Sequence, residues 1–513
     1  MADTAPKKAP APLHGAPLAL LTIAVAFATF MEVLDITIVN VSVPHIAGSL
    51  AVSPQEGTWA ISSYSLASAI MQPLSGWIGR RFGEVRSFCV SALLFVVMST
   101  FCGLAVSMPM LVVGRLLQGA GSGPMVALSL SLLLNNYPNE KKGLALALWA
   151  MTVVVAPIFG PILGGYLTDN YSWPWIFYIN VPVGLLAIVI TWTLLSNRES
   201  ATVKAPIDAI GLVLLVVGVG SLQFMLDNGN DMDWFSSRMI TTLGIVALVA
   251  LVFFVAWELT EEHPVVDLAL FKRRNFTIGV IAIALGMTGF FGINVVYPLW
   301  LQTVAGYTAS WAGYATAPVG ILAFLMSPII GRNIQRLELR AVVTFSFVVF
   351  AATSYWFSTF PLDTSFWQFV LPRFLMGIGI PCFFIPLNQI ILSGLKPEQI
   401  ASASGLSNFF RTIAASISTA VTVTMWQHRG EMHHATLAEH INNGSSATQQ
   451  FLDGLKHAGS ATWPVIEGIV NREALTLAVN DVFLLYAGLF LVMIPIVWLA
   501  RPPFGNVGPG AAH

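Results

Sequence analysis

Residues 18–41 read LALLTIAVAFATFMEVLDITIVNV, an apolar stretch interrupted by only two ionisable side chains, Glu32 and Asp35. Backbone polar groups in hydrocarbon have to be paired within the chain itself, so an apolar run of about 20 residues predicts a membrane-spanning helix. The run is long, contains acids and does not end in a small-residue cleavage site. These features favour an uncleaved first span over a signal peptide.

The composition of the whole chain fits a protein built from such spans. Of its 513 residues, 56% are apolar and 10% are charged, whereas soluble globular proteins carry about 25% charged residues. A water-soluble fold is therefore excluded. A net charge of -1 without a basic block gives no reason to expect nucleic-acid binding. The three cysteines, Cys89, Cys102 and Cys382, fall inside apolar runs and are expected to pack as small apolar residues.

Fourteen runs are long enough to cross a bilayer, and they are grouped as six, two and six. The first six are Leu18–Val41, Gly57–Ile78, Ser87–Val106, Met110–Leu134, Leu144–Leu167 and Ile176–Leu195. The next two are Asp208–Leu226 and Met239–Glu258. The last six are Thr277–Gln302, Ala312–Gly331, Ala341–Ser358, Trp367–Leu392, Ser404–Trp426 and Asn480–Leu499. The predicted fold class is therefore an all-α polytopic membrane protein with 14 transmembrane helices.

The distribution of Lys and Arg between the loops supports this count independently, because basic residues accumulate on the cytoplasmic side of a membrane. With both termini cytoplasmic, 17 of the 24 basic side chains fall in predicted cytoplasmic segments. Four fall in outer segments, and three, Arg115, Arg373 and Arg411, fall inside spans. The polar stretch 427–479 between the last two spans is predicted to be a long outer loop, in which 451–455 and 465–470 have the apolar spacing of short amphipathic helices.

Ionisable groups inside spans are costly and are functional candidates by default. Glu32 and Asp35 are three residues apart and share a helix face. Two nearby carboxylates in a poorly hydrated cavity favour proton retention on one of them, which suits a proton-coupling site. The alternative for Asp35 is permanent neutralisation by a partner such as Arg115, and Glu32 is also a candidate contact for cationic substrate.

Arg115 lies early in the fourth span, in the segment GRLLQG at 114–119, and needs an anion or a watery pocket. Asp35 is the candidate partner. Arg373 and Arg411 stand within a few residues of a span end, so we expect both to extend to water.

The segment APIFGPILGG at 156–165 combines prolines, which bend a helix, with glycines, which allow close helix contact. A conformational pivot is predicted at Pro157, Gly160, Pro161, Gly164 and Gly165. Ordinary small-residue packing explains the composition about as well.

Aromatic and amide side chains in the spans are candidates for lining a substrate cavity, because aromatic faces attract organic cations and planar apolar molecules. For any single aromatic residue, contact with lipid or a neighbouring helix is the more ordinary explanation, whereas amides cost more in lipid. The predicted cavity residues are Asn40, Gln118, Phe291, Asn294, Tyr297, Asn388 and Gln389.

Sequence signatures of enzymes and ATPases are absent: the chain has no GxxxxGK[ST], HExxH or GxSxG segment. No cofactor or metal site is predicted. The histidines of the outer stretch, His428, His433, His434 and His440, are expected to be solvated loop residues.

Several segments together resemble the major facilitator superfamily, and in particular its fourteen-helix drug:proton antiporters of the EmrB/QacA type. The resemblance covers nearly the whole chain. The segments are LDITIVNVSVP at 34–44, GRLLQG at 114–119, GPILGG at 160–165, WIFYINVP at 175–182 and GLSNFFR at 405–411.

The resemblance implies two six-helix bundles, 18–200 and 270–500, around a midplane cavity that opens to either side in turn. Two additional helices within 207–260 and cytoplasmic tails at 1–17 and 501–513 complete the chain. It implies export of hydrophobic drugs and toxic compounds across a bacterial inner membrane in exchange for protons. It further implies a three-part export path with a periplasmic adaptor of the EmrA type and an outer-membrane channel of the TolC type. The stretch 427–479 is the candidate adaptor contact, or else it caps the outer vestibule.

One segment departs from the superfamily pattern. The loop between helices two and three usually reads Gly-x-x-x-Asp-Arg-x-Gly-Arg, while residues 76–84 read GWIGRRFGE, with acid and base exchanged. A cytoplasmic latch is predicted at Gly76, Arg80, Gly83 and Glu84, with Arg80 and Glu84 spaced for a local pair.

Two rival functions remain open from the sequence. The first is export of a metabolite, such as a fatty acid or a siderophore, by the same mechanism. The second is a membrane sensor or assembly scaffold that transports nothing.

Overall fold

Apolar runs of this length fold as helices because a helix pairs its own backbone groups, and the computed structural model is helical along most of its length. It describes residues 11–52, 54–203, 206, 208–230, 232–262, 264–439, 441, 449 and 462–504, apart from the side chains of 41, 44, 54, 55, 154, 157, 158, 161, 169, 309, 310 and 462. Within these ranges no strand is present.

The described α-helices are numbered here in chain order. The first eight are α1 (Gly15–Ser49), α2 (Pro54–Met71), α3 (Ser75–Phe82), α4 (Glu84–Gly103), α5 (Met108–Asn136), α6 (Lys142–Asn170), α7 (Trp175–Tyr178) and α8 (Asn180–Leu195). They are followed by α9 (Ala209–Asn228) and α10 (Arg238–Glu258). The last seven are α11 (Arg274–Thr303), α12 (Ala309–Thr316), α13 (Pro318–Asn333), α14 (Leu339–Phe357), α15 (Phe366–Leu392), α16 (Pro397–Glu439) and α17 (Thr462–Trp498).

Every predicted span is occupied by one helix or by two consecutive helices. Among the described residues, 11 spans are long and apolar enough to cross a membrane. The other three predicted spans correspond to α2 with α3, to α6 and to α16. The chain is thus an all-α, multi-pass membrane protein, with which a count of fourteen spans is compatible.

Two predicted spans are broken directly at a proline, and a third, the sixth, is divided at Ile179. The second span is interrupted at 72–74, around Pro73, and the tenth is divided at Ala317, directly before Pro318. Proline lacks the backbone N–H that a continuous helix requires, whereas Ala317 itself keeps helical angles, φ -58° and ψ -34°. Both breaks lie in helices that contact the other half of the chain.

The outer stretch 427–479 is more helical than the predicted loop, and the helix expected at 465–470 is confirmed. Helix α16 continues without a break to Glu439, and α17 already begins at Thr462, so both flanks of the stretch are helical extensions of the neighbouring spans. Ile466 and Val470 are buried against Leu437 and Ile441, and this apolar seam explains why the extensions pair. We call 427–439 with 462–479 the outer hairpin. The patch at 451–455 and His440 lie outside the described residues.

The helices form two groups joined along a few contacts. Helices α1 to α8 pack on one another as the first bundle, and α11 to α17 do so as the second. Helices α9 and α10 pack against each other, and α9 also packs against α2 and α16. The bundles meet where α6 packs on α13 and where α16 packs on α3 and α5.

Hydrogen bonds join the loops that were predicted to be cytoplasmic. Within each bundle and between the two bundles, these bonds connect the segment before α1, the end of α3 and the segments after α5, α8, α10, α13 and α15. The bonds run from Arg198 to Ala11, from Val203 to Arg80, from Gln335 to Asn139 and from Arg273 to Gly394. These loops therefore share one end of the molecule, which we call the basic end.

Candidate proton and substrate site

Asp35 lies at the centre of a buried polar cluster in the first bundle. Its carboxylate forms an ion pair with the Arg115 guanidinium of α5. Its other oxygen, Oδ1, accepts hydrogen bonds from Gln118 Nε2 at 3.1 Å and from Asn180 Nδ2 at 2.8 Å. Asp35, Arg115 and Gln118 are fully buried, and Asn180 is 2% exposed. Helices α1, α5 and α8 are thus joined through one carboxylate.

Arg115 is held by more than its ion pair. Nε donates to the carbonyl of Ala60 on α2 at 2.7 Å, and Nη1 donates to Gln118 Oε1 at 2.9 Å. The guanidinium carbon lies 4.1 Å from the ring centroid of Tyr64, a favourable cation–π distance. Nη2 has no hydrogen-bond partner. Loss of the Asp35 charge would therefore leave a buried cation poorly compensated.

Two members of this cluster were not predicted in that role. Gln118 was expected in the substrate cavity, but it bridges Asp35 and Arg115 instead. Asn180 was given no function, although it begins α8 and also donates to Ser99 Oγ at 3.0 Å. An amide at the start of an apolar span is costly unless it is paired, and that signal was available in the sequence.

Glu32 has a different environment from Asp35. It lies one helical turn earlier on α1 and is 4% exposed. In the described part of the chain, no side chain forms a hydrogen bond or ion pair with it. One buried carboxylate of the pair is therefore charge-compensated, and the other is not.

Arg373 and Arg411 were expected to extend to water, and this expectation was wrong. Arg373 is fully buried and Arg411 is 7% exposed. Arg373 donates to Asn294 Oδ1, and Arg411 Nη2 donates to Asn388 Oδ1 at 2.8 Å. The helices that surround them prevent the side chains from reaching a span end, so each guanidinium is paired with a neutral amide.

The predicted cavity residues of the second bundle differ in how far they are buried. Phe291 and Asn294 on α11 are partly buried, whereas Asn388 on α15 is 4% exposed. Gln389 is partly buried and its Nε2 lies 3.5 Å from the carbonyl of Phe504, close to the basic end.

Two further cavity predictions have other surroundings. Tyr297 is 1% exposed, and its hydroxyl donates to the carbonyl of Phe369 at 3.2 Å, so it belongs to the core of the second bundle. Asn40 is exposed on α1. The seven predicted residues therefore lie in different surroundings, and a shared substrate cavity stays a prediction.

Some residues of the predicted pivot contact α1, and others do not. A methyl group at Gly164 of α6 would lie 2.8 Å from the carbonyl oxygen of Ile38, and one at Gly160 would overlap Thr37. Both contacts are on α1, one turn beyond Asp35. Gly165 has nothing within 4 Å of a methyl group. The side chains of Pro157 and Pro161 lie outside the described residues.

The predicted latch makes contacts between the bundles. Gly76 of α3 lies so close to Ser402 of α16 that a methyl group would be 2.6 Å from the Ser402 Cα. Arg80 Nη1 donates to Ser402 Oγ at 2.9 Å. Arg80 therefore reaches the second bundle, and the predicted pair with Glu84 is not formed.

Glu84 and Gly83 hold the loop within the first bundle. The Glu84 carboxylate accepts hydrogen bonds from Ser131 Oγ at 2.8 Å and from Asn135 Nδ2 at 3.2 Å. Gly83 has φ 93°, a conformation that favours glycine, and a side chain there would collide with Glu199. Glu199 in turn accepts from the backbone N–H of Val85 at 2.9 Å and so caps α4.

Comparison with known proteins identifies the family. The sequence model of the Major Facilitator Superfamily matches residues 25–419. The chain belongs to this superfamily. It is 50% identical over 507 residues to the multidrug export protein EmrB of Escherichia coli K12, covering 98% of this chain and 99% of that protein. It is 48% identical over 502 residues to the fatty acid resistance protein FarB of Neisseria gonorrhoeae, covering 97% and 99%.

A solved structure supports the same fold. The human organic anion transporter MFSD10 superposes with a TM-score of 0.58 at 11% sequence identity, covering 94% of this chain and all of that one. At that identity the likeness concerns the fold alone. This chain is therefore a major facilitator transporter of the EmrB-like kind.

Proposed function

We propose that this protein is a proton-coupled antiporter that exports hydrophobic drugs and toxic compounds across the bacterial inner membrane, with both termini cytoplasmic. The observation that carries the proposal is the buried Asp35–Arg115 pair, in a chain half identical to a multidrug exporter. The protein acts as a transporter and not as an enzyme, and it requires no cofactor.

Protonation of Asp35 is the coupling step in this proposal. The charged carboxylate holds together α1, α5 and α8 through Arg115, Gln118 and Asn180. A proton on Asp35 removes the charge that compensates Arg115, so the cluster rearranges and the bundles change their relative positions. A state change of this kind requires that proton and drug bind the two states with different affinities. Glu32, which has no compensating partner among the described residues, is the second proton site or the contact for cationic drug.

The latch and the pivot transmit the change. Gly160 and Gly164 bring α6 against α1 just beyond Asp35, and α6 also contacts α13 of the second bundle. At the basic end, Gly76 and Arg80 contact Ser402. A shift of α1 is thereby passed to the surface where the bundles meet.

The outer hairpin is the proposed contact for a periplasmic adaptor of the EmrA type, which would connect the protein to an outer-membrane channel of the TolC type. Two observations favour it. The hairpin extends well beyond the last two spans, and it contains a cavity of about 510 Å³ whose lining includes Ile441, Trp463 and Ile466.

The test is transport by purified protein in proteoliposomes under an imposed pH gradient. We expect wild type to accumulate a hydrophobic cation or an uncoupler when a gradient is imposed. The uptake rate of Asp35→Asn is expected to be lower by about tenfold or more. Glu258→Gln is the matched control, because Glu258 is a buried carboxylate on α10, outside both bundles. Gradient-driven uptake that persists in Asp35→Asn would contradict the assignment.

A second candidate function is export of a fatty acid by the same mechanism, which the 48% identity to FarB favours. The same proteoliposomes distinguish the candidates. Gradient-driven flux of a fatty acid without flux of any drug would favour the second, and absence of any flux would favour a sensor or scaffold.

A further inference from the structure

Arg411 is a buried cation without a carboxylate partner. It lies on α16 and is 7% exposed, and its Nη2 donates to Asn388 Oδ1 at 2.8 Å. Its Nε has no hydrogen-bond partner, and no carboxylate in the described ranges forms an ion pair with it. Arg115 is fully buried but is paired with Asp35. A buried guanidinium that lacks an anion is costly for the fold. Arg373 shares this feature, but its contacts are with Asn294, Met376 and Tyr297 of the second bundle, so the position of each guanidinium decides whether an anion from outside the chain can reach it.

Arg411 also faces the opposite bundle. Its guanidinium carbon lies 5.7 Å from the ring centroid of Trp149, which belongs to α6 of the first bundle. The next residue, Thr412, donates to Gln72 Oε1 at 3.0 Å, at the break between α2 and α3. The guanidinium is therefore covered by the first bundle only while the bundles are in contact at this level. Separation of the bundles at the basic end would uncover it.

An aromatic series begins beside the guanidinium and leads away from it. The Phe384 ring centroid lies 5.5 Å from the Arg411 guanidinium carbon and 6.4 Å from the Phe290 ring centroid. Phe290 in turn lies 6.1 Å from Phe291, which is partly buried. Such a series offers contact area for an apolar body, while the guanidinium offers two parallel N–H donors to a carboxylate. The arrangement fits a lipophilic molecule with an acidic head.

We propose that Arg411, together with Asn388, is an anion-binding subsite that takes the acidic group of a lipophilic substrate when the bundles are apart at the basic end. This proposal rests on the proposed transport function and assigns a substrate class to it. When the bundles close, Trp149 covers the guanidinium and the anion is displaced, so the two states differ in affinity for it. An alternative in which Arg411 only clamps the bundles through Trp149 predicts no preference for an anion.

The test compares three probes that share one chain and differ in the head: dodecanoate, dodecanol and dodecyltrimethylammonium. Binding to the purified full-length protein in phosphatidylcholine nanodiscs is measured by titration calorimetry, with empty nanodiscs subtracted. We expect wild type to bind dodecanoate at least about tenfold more tightly than dodecanol, because a charge-assisted hydrogen bond favours the acid. The ammonium probe is expected to bind no more tightly than dodecanol.

Three variants test whether the preference for dodecanoate over dodecanol depends on Arg411. Arg411→Gln is expected to lose it, and Arg411→Lys to keep part of it, because lysine retains the charge without the paired donors. Arg373→Gln is the matched control: it removes a buried guanidinium paired with an amide inside the second bundle. It is expected to keep the full preference.

Equal affinity of wild type for dodecanoate and dodecanol would overturn the proposal, even if Arg411→Gln does not fold. A full preference in Arg411→Gln would place the anion elsewhere. Gradient-driven efflux of a hydrophobic cation is measured in the same protein preparation. Efflux without the anion preference leaves the transport function standing and refutes the subsite. The preference without gradient-driven flux of either the cation or dodecanoate refutes the transport function.

Discussion

Asp35 and Glu32 are two carboxylates within one helical turn, and they differ in their hydrogen-bond and ion-pair partners. Asp35 accepts hydrogen bonds from two amides and pairs with Arg115, so its charged form is stabilised by several donors. Glu32 is 4% exposed and is without such donors in the described part of the chain. The partners of Asp35 all lie on other helices, and each donor can be removed separately.

Asn180→Ala is expected to shift the pH dependence of drug efflux. The substitution removes a 2.8 Å hydrogen bond that favours the charged carboxylate, and such a bond contributes about 1.5 kcal/mol or more. The half-maximal pH of efflux should therefore rise, by about one unit for a loss of this size. Efflux rates in proteoliposomes at a series of pH values measure the shift. The exposed amide variant Gln302→Ala is the control, and an unchanged profile in Asn180→Ala would contradict the role of this donor.

At the level of helices, the close contact of α6 with α1 depends on two glycines. Gly160 and Gly164 face Thr37 and Ile38, whereas the adjacent Gly165 faces open space. Small residues allow helices to approach in a membrane, where the hydrophobic effect does not drive them together. The contact matters for function because it lies one turn from Asp35.

Gly164→Ala and Gly165→Ala are expected to behave differently. At position 164 the new methyl would lie 2.8 Å from the Ile38 carbonyl oxygen, and crowding of this kind costs about 1–3 kcal/mol. At position 165 nothing is displaced, and alanine favours the helix by up to about 1 kcal/mol. Thermal unfolding and efflux of the two purified variants provide the comparison. Equal loss of efflux in both would show that the pivot does not act through contact with α1.

At the level of the molecule, the two bundles meet tightly at the basic end. Gly76 is in contact with Ser402, and Gly143 of α6 lies against Gly331 of α13, where a methyl group would be 2.7 Å from the Gly331 carbonyl oxygen. These contacts close that end, and alternating access requires them to open.

Gly76→Ala is expected to shift the population toward separation of the bundles at the basic end, because α3 and α16 have to move apart to accommodate the methyl group. Spin labels at Lys141→Cys and Arg336→Cys, on the loops joined by the Gln335–Asn139 hydrogen bond, report the distance. A population with a longer distance between the two labels should appear in pulsed electron–electron double resonance. Gly313→Ala is the control, since nothing lies within 4 Å of a methyl group there. An unchanged distance distribution in Gly76→Ala would rule out a latch at this contact.

Trp463→Asp is expected to weaken the adaptor complex without reducing transport in proteoliposomes. Trp463 is 51% exposed and lines the outer-hairpin cavity, and exposed aromatic residues often anchor protein interfaces. Co-purification with the adaptor and efflux by the isolated protein are measured for the same variant. Trp367→Asp, at an exposed tryptophan that begins another helix, is the control. Retention of the adaptor by Trp463→Asp would place the contact elsewhere.

The sequence by itself determined that the chain is a helical membrane protein, because long apolar runs leave no other way to pair the backbone, and it indicated that Arg115 needs Asp35, because an unpaired charge in lipid is costly. Only the tertiary structure decided which other side chains share that pair. Gln118 and Asn180 reach Asp35 because α1, α5 and α8 converge there, and spacing along one helix carries no information on such convergence.

The same limit explains where prediction failed. Distance from a span end suggested that Arg373 and Arg411 would reach water, but surrounding helices bury both. Polar composition suggested a loop at 427–479, but an apolar seam between two chain segments stabilises helices there. Local composition indicates which side chains require a hydrogen-bond or ion-pair partner. Packing between segments that are distant in sequence decides which partner each one has.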